Sequence, residues 1–125
     1  ETWSTAAGVA VEVHLDETLA PEPEVAMDLY RIAQEALTNV ARHAAATKVA
    51  VELLEEDGQI VLLVADDGRG IDAGEQTDPE ALGLIGMRER AEAWGGRLSL
   101  IGTRGRGTTV TVRIPIEVPS RERKS

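Results

Sequence analysis

Three groups of side chains in this 125-residue sequence have types and spacings suited to chemistry. The first is Asp66 and Asp67, which end an unbroken apolar run over residues 60–65 and are followed by Gly68 and Gly70. Such a run fits a central strand covered at least partly on both faces. Alternation along that strand puts Asp66 on the side of Ile60, Leu62 and Val64, which should look into a core, so its carboxylate needs a partner. The two glycines free the backbone and let a ligand approach it closely. The second group is Glu35 and Asn39, four residues apart in a helical pattern, with Arg42 and His43 one turn further on. Asn is a poor helix former, so its place in mid-helix asks for a reason. The third is Thr108, which has the parity of Val110, Val112 and Ile114 and brings a hydroxyl to the mouth of the core, as Asp66 brings a carboxylate. Plainer readings stand beside these: an Asp-Gly hairpin turn at residues 67–68 and a solvated helix edge at Glu35 and Asn39. The polar stretch 71–79 offers no mate strand for such a hairpin.

The elements that must position these groups follow from periodicity. Residues 8–16 alternate, with Val9, Val11, Val13 and Leu15 on one face and Glu12, His14 and Asp16 on the other, as in a half-buried strand. His14 lies on the wet face with no second ligand in sight, which reads as a solvated histidine and not a metal ligand. Pro21, Glu22, Pro23 and Glu24 start a helix, since proline presets φ and acidic residues complement the helix dipole. Its apolar face comprises Val25, Leu29, Ile32, Ala33, Ala36, Leu37, Val40 and Ala44. Residues 48–55 alternate again and turn through 55–58 into the central strand, forming a hairpin. Residues 71–82 lack periodicity and read as a mobile lid or binding loop. Gly83 then leads into a helix with Leu84, Met87, Ala91 and Trp94 at helical spacing, ended by Gly95 and Gly96. A glycine-flanked helix N-terminus beside a flexible loop is a candidate phosphate site, because free backbone N–H groups point out of it. Two last strands, 97–101 and 108–116, are joined by a glycine-rich turn. The expected organisation is therefore a leader over residues 1–7, one domain over 8–118, and a disordered charged tail over 119–125.

Composition narrows the function. Without cysteine there is neither a disulfide framework nor a thiolate metal site. The apolar run 60–65 is too short to span a bilayer and no signal-peptide pattern opens the chain, so no membrane contact is expected of it. A net charge of −9 argues against non-specific nucleic-acid binding, and with Trp3, Trp94 and Tyr30 as the only aromatic residues there are no platforms for stacking bases. An anionic ligand would need local help from helix N-termini, a divalent cation or a few arginines. Gly102 and Gly107 have P-loop spacing, but Thr108 stands in place of the lysine and a strand follows. Gly68, Gly70 and Gly74 miss the dinucleotide fingerprint by one residue. Zinc-hydrolase and serine-hydrolase motifs are absent from the sequence.

Four separated pieces, Glu35-x-x-x-Asn39, Asp66-x-Gly68-x-Gly70, Gly83-x-x-Gly86 and Gly107-Thr108, occur in an order and at a spacing that resemble the ATP-binding domain of the gyrase, heat-shock chaperone, histidine kinase and mismatch-repair (GHKL) superfamily. The longer wording of residues 30–39 and 83–90 is similar to that of sensor histidine kinases whose partner response regulators carry a helix-turn-helix output domain. The resemblance implies an α+β fold, a two-layer sandwich of a mixed sheet with helices on one face, and ATP held between the helix layer and a lid. Asp66 would accept the adenine amino group, with Thr108 beside it through water, and Gly68, Gly70 and Ile71 would lie along the base. Asn39 would ligate Mg²⁺, Glu35 would orient or deprotonate the attacking group, and Arg42 and His43 would border the phosphates. The turn containing Gly83, Leu84, Gly86 and Met87 would cap them.

The resemblance further implies a cytoplasmic domain that transfers the γ-phosphoryl group of Mg-ATP to a histidine on a separate dimerisation domain, acting indirectly on a response regulator. No phenylalanine-containing box lies between Asp66 and Gly83, and the lid is short, both of which fit the subfamily. Neither His14, on a strand, nor His43, inside the nucleotide helix, suits the phosphoacceptor role, so the acceptor is expected outside this sequence. Two other functions fit the same fold: an anti-sigma-factor serine kinase, and a nucleotide-sensing module that transfers nothing.

Overall fold

Alternation along the strands and a 3.6-residue stripe along the helices bury one continuous core between a sheet and two helices. The structure is a computed structural model and describes residues 2–6, 9–41, 46–69, 83–103 and 105–116. In chain order the elements are β1 (Thr2–Ala6), β2 (Val9–Leu15), α1 (Pro23–Asn39), β3 (Lys48–Glu56), β4 (Gln59–Asp66), α2 (Leu84–Glu92), β5 (Arg97–Thr103) and β6 (Gly107–Pro115). The six strands form one sheet in the order β1-β2-β3-β4-β6-β5. β2 and β3 pair in parallel across the α1 connection, and every other neighbour is antiparallel. This is the expected mixed sheet with helices on one face. Among the described residues no helix is long and apolar enough to cross a membrane.

β4 lies between β3 and β6, which is why six apolar residues run along it without a break. Ile60, Leu62 and Val64 face the helices, and Val61, on the other side, is still only 3% exposed. The β3–β4 hairpin closes more tightly than the alternation implied. Its strands run to Glu56 and from Gln59, and Asp57 and Gly58 both take positive φ, 54° and 75°. Positive φ at both central residues is the turn whose twist matches that of the flanking strands. Leu15, expected on the buried face, is exposed at the end of β2. Thr2–Ala6, ahead of the boundary expected at residue 8, pairs with β2 as an edge strand. Its composition carries no alternation, and its pairing is decided by a neighbour it meets only in the fold.

Pro23 and Glu24 open α1, and Val25, Leu29, Ile32 and Ala36 are its buried stripe. Its expected continuation through Ala44 falls on residues 42–45, outside the described residues. α2 buries Leu84, Met87 and Ala91. It stops at Glu92, two residues before Trp94: Gly95 takes a φ of 74°, and the Gly96 N–H donates to the Ala91 carbonyl at 3.0 Å, closing the helix C-terminus. The two helices are braced at that end by Asp28. It accepts a hydrogen bond from Trp94 Nε1 at 2.9 Å and lies 3.8 Å from Arg90 Nε.

Ile32, fully buried at the centre of the stripe, should lose roughly 2–5 kcal/mol of stability on substitution by alanine. Tyr30→Ala, on the exposed side of the same helix, should stay within about 0.5 kcal/mol. Urea unfolding of the two variants checks the contrast, and equal losses would mean that α1 does not bury the face described.

Candidate functional site

The strand register gathers the first cluster. Asp66 pairs with Val49 of β3 on one side and with Thr108 of β6 on the other, so these three residues share the helix-facing side at one end of the sheet. Thr108 is buried, 9% exposed, and Asp66 is half-buried. One Asp66 carboxylate oxygen accepts the Gly68 N–H at 2.8 Å. Burial pushes the Asp66 carboxyl above its ordinary value, only partly offset by the backbone N–H groups of Gly68 and Thr108, and the neighbouring charge of Asp67 adds to the rise. Asp66 therefore has remaining acceptor capacity in a partly dry setting. Gly107 begins β6 at a φ of 100°, and a Cβ there would run into the Asp66 backbone carbonyl. The glycine before Thr108 is thus what lets β6 close on β4 at this point.

Asp67 faces the other way and meets different chemistry. Its Oδ1 accepts the N–H groups of Thr47 at 2.9 Å and Lys48 at 3.1 Å, and its Oδ2 accepts the Thr47 hydroxyl at 2.6 Å. These donors hold its carboxyl down to about 2. The sequence names Asp67 but gives it no role; the available signal is its parity, opposite to that of Asp66.

α1 brings in the second cluster. Its C-terminal end leads through residues 40–47 to the start of β3, where Val49 pairs with Asp66, so Asn39 lies towards the same end of the sheet. Glu35, one turn earlier and partly exposed, packs against the head of α2. Gly83 caps that helix in the left-handed region, φ 66°, and a Cβ on it would sit 2.5 Å from Glu35 Oε2. Gly86, in the first turn, lies beside the Arg90 guanidinium. Leu84 and Met87, expected beside a ligand, are each 1% exposed and belong to the core beneath α2. Gly70, Ile71, Arg42, His43, the expected lid at 71–82 and the tail at 119–125 lie outside the described residues. Among those described, no three His, Cys, Asp or Glu side chains form a group able to hold a metal ion.

Comparison with known proteins adds to this geometry. The family model for histidine kinase-, DNA gyrase B- and HSP90-like ATPases matches residues 24–118. The signal transduction histidine-protein kinase/phosphatase UhpB of Salmonella typhimurium is 38% identical over 101 residues, covering 81% of this chain and 19% of that protein. The sensor histidine kinase LiaS of Bacillus subtilis is 43% identical over 88 residues, 70% of this chain and 24% of that protein. The chain thus spans a quarter or less of the length of these relatives. Among solved structures, the blue-light activated histidine kinase EL346 of Erythrobacter litoralis superposes with a TM-score of 0.75 at 31% identity, covering 87% of this chain and 36% of that one. The chain therefore belongs to the histidine kinase-, DNA gyrase B- and HSP90-like ATPase family, as an ATP-binding catalytic domain of the kind found in sensor histidine kinases.

Proposed function

We propose that this domain binds Mg-ATP and transfers its γ-phosphoryl group to a histidine on a separate dimerisation domain, and through it serves a response regulator. The observation that carries the reading is the half-buried Asp66 carboxylate set opposite Thr108, with acceptor capacity left beyond its bond to Gly68. Such a carboxylate suits the adenine amino group, and the buried Thr108 hydroxyl suits a water shared with the base. Gly68 and Gly70 would admit the base against the backbone. The phosphates would lie towards the head of α2, under the turn from Gly83 to Gly86 and bordered by Arg42 and His43, where a helix N-terminus favours negative charge. Asn39 would offer its amide oxygen to Mg²⁺. Few side-chain ligands suit that ion, which otherwise keeps water and phosphate oxygens, and when bound it neutralises phosphate charge.

Glu35 would orient the attacking imidazole or take its N–H proton as the nitrogen bonds to phosphorus and the bond from phosphorus to the ADP oxygen breaks. The contact of Glu35 with Gly83 supports this, because it sets the carboxylate at the end of the helix that would cap the phosphates. Catalysis would then rest on positioning and electrostatics, without a covalent intermediate on the protein. Such a domain would work in the cytoplasm, where ATP is.

Glu35→Gln should lower phosphoryl transfer by roughly 10²–10⁴-fold while leaving nucleotide affinity close to that of the parent. Asn39→Ala should weaken Mg-ATP binding together with activity, and metal-free nucleotide binding less. Radiolabel transfer from ATP to an added histidine-bearing dimerisation domain reads both. Labelling of a serine in a partner protein would favour the anti-sigma-factor kinase, and no transfer to any partner the sensing module.

Asp66→Asn separates binding from stability. The folded state raises the Asp66 carboxyl above 3.8, so the group costs stability progressively as pH rises from 3.8 through the native value, and the full cost remains above it. Asparagine keeps the acceptor for Gly68 but carries no charge. The variant should lose nucleotide affinity yet melt at a higher temperature near neutral pH, and the gap should narrow as pH falls and close below 3.8. Thermal melts across pH, paired with calorimetric ATP titrations, check both halves.

A further inference from the structure

We propose that Asp67 is a positioning residue for base recognition: its carboxylate staples the start of β3 to the end of β4 and thereby fixes the direction in which Asp66 presents its own. The inference rests on Asp66 being the adenine acceptor.

The β4 ladder ends at Asp66, paired to Val49 and Thr108. Beyond that residue the backbone must turn away from the sheet, and a terminal residue is free to swing unless something holds the next peptide. Asp67 supplies that hold. Three donors, the N–H groups of Thr47 and Lys48 and the Thr47 hydroxyl, converge on its two oxygens, and its own N–H returns to the Lys48 carbonyl at 3.3 Å. Charge-assisted bonds of this kind are roughly twice as strong as neutral ones. The opposite flank is fixed as well: the Gly105 N–H donates to the Arg69 carbonyl at 2.7 Å, and Gly107 packs on the Asp66 carbonyl. The peptides around Asp66 are therefore gripped from both neighbouring strands.

Asp67 itself is exposed and lies on the face opposite the core, so it buries no apolar surface whose loss would unfold the chain. What its removal frees is the direction of the Asp66 side chain. Direction matters because adenine presents an amino donor where guanine presents a carbonyl oxygen. A fixed carboxylate attracts the first and repels the second, and one that wanders does both less well.

The test is calorimetric titration of the domain with Mg-ATP and Mg-GTP. Asp67→Ala should weaken ATP binding about tenfold, the equivalent of one charge-assisted hydrogen bond, and GTP binding distinctly less, so that the preference for ATP falls. Asp67→Asn, which keeps an acceptor for the two N–H groups, should restore most of the affinity and of the preference. Thr47→Val, which deletes only the hydroxyl donor, should fall between Asp67→Ala and the parent, and adding it to Asp67→Ala should cost nothing further. If Asp67→Ala does not fold, Thr47→Val carries the same reading alone. Equal proportional losses for ATP and GTP, or parental affinity in Asp67→Ala and Thr47→Val, would overturn the inference. Asp66→Asn run alongside separates the two levels: if it leaves ATP affinity unchanged, the adenine reading has failed, and if it weakens ATP while the Asp67 and Thr47 variants do not, the staple has.

Discussion

The register of β4 against β3 and β6 is the constraint on which everything else here depends. Side chains alternate with a period of two, so a slip by one residue would turn Asp66 out to solvent and drive Asp67 into the core. Two features hold the register. Ile60, Leu62 and Val64 have a dry side to face on every second position, and the two-residue turn at Asp57 and Gly58 fixes which residue of β3 meets which of β4. The adjacent carboxylates then acquire opposite characters from one backbone. Asp66 is desolvated and carries a raised pKa, whereas Asp67 is ringed by donors and is held low. Identical side chains one residue apart differ only in the face they are given.

The parts of this arrangement that are legible in the sequence are those governed by period. Parity alone puts Asp66 and Thr108 on the inner face, and helical spacing alone pairs Glu35 with Asn39 beside a stripe of Val25, Leu29, Ile32 and Ala36. The parts that were not legible are contacts between segments distant in the chain. Nothing in residues 2–6 announces a strand, because its pairing is supplied by β2. Nothing around Asp67 announces its bonds to Thr47 and Lys48, twenty residues back in the chain, which depend on β3 and β4 already lying side by side. Leu84 and Met87 sit within a glycine-marked turn that suggests ligand contact, yet burial under α2 claims both side chains.

Glu35 and Gly83 show how tightly two elements can be matched at a single point. The left-handed conformation at Gly83 suits glycine, and the space where a side chain would stand is taken by the Glu35 carboxylate. The head of α2 is thereby set against α1 at Glu35, the residue proposed to act on the attacking group, while Trp94, Arg90 and Asp28 tie the two helices at the far end. The helix layer is pinned at both ends, which makes the relation between Glu35 and the α2 N-terminus a property of two helices and not of one flexible side chain.

The strand order has a consequence for how the domain is put together. The sheet consists of three antiparallel pairs of chain neighbours, β1 with β2, β3 with β4 and β5 with β6, joined along two seams, β2 to β3 and β4 to β6. Among the described residues one helix lies along the chain across each seam, α1 for the first and α2 for the second. Hairpins close over short loops, whereas seams require distant parts of the chain to meet and bear the larger loop-closure entropy. Glu35 and Asn39 ride on the helix of the first seam, Gly83 heads the helix of the second, and Asp66 faces Thr108 across it. A chain with all three hairpins formed and both seams open would hold much of its strand hydrogen bonding and none of its site. Competence to hold a ligand is in this sense a property of the closed sheet, and a half-assembled chain does not inherit any fraction of it.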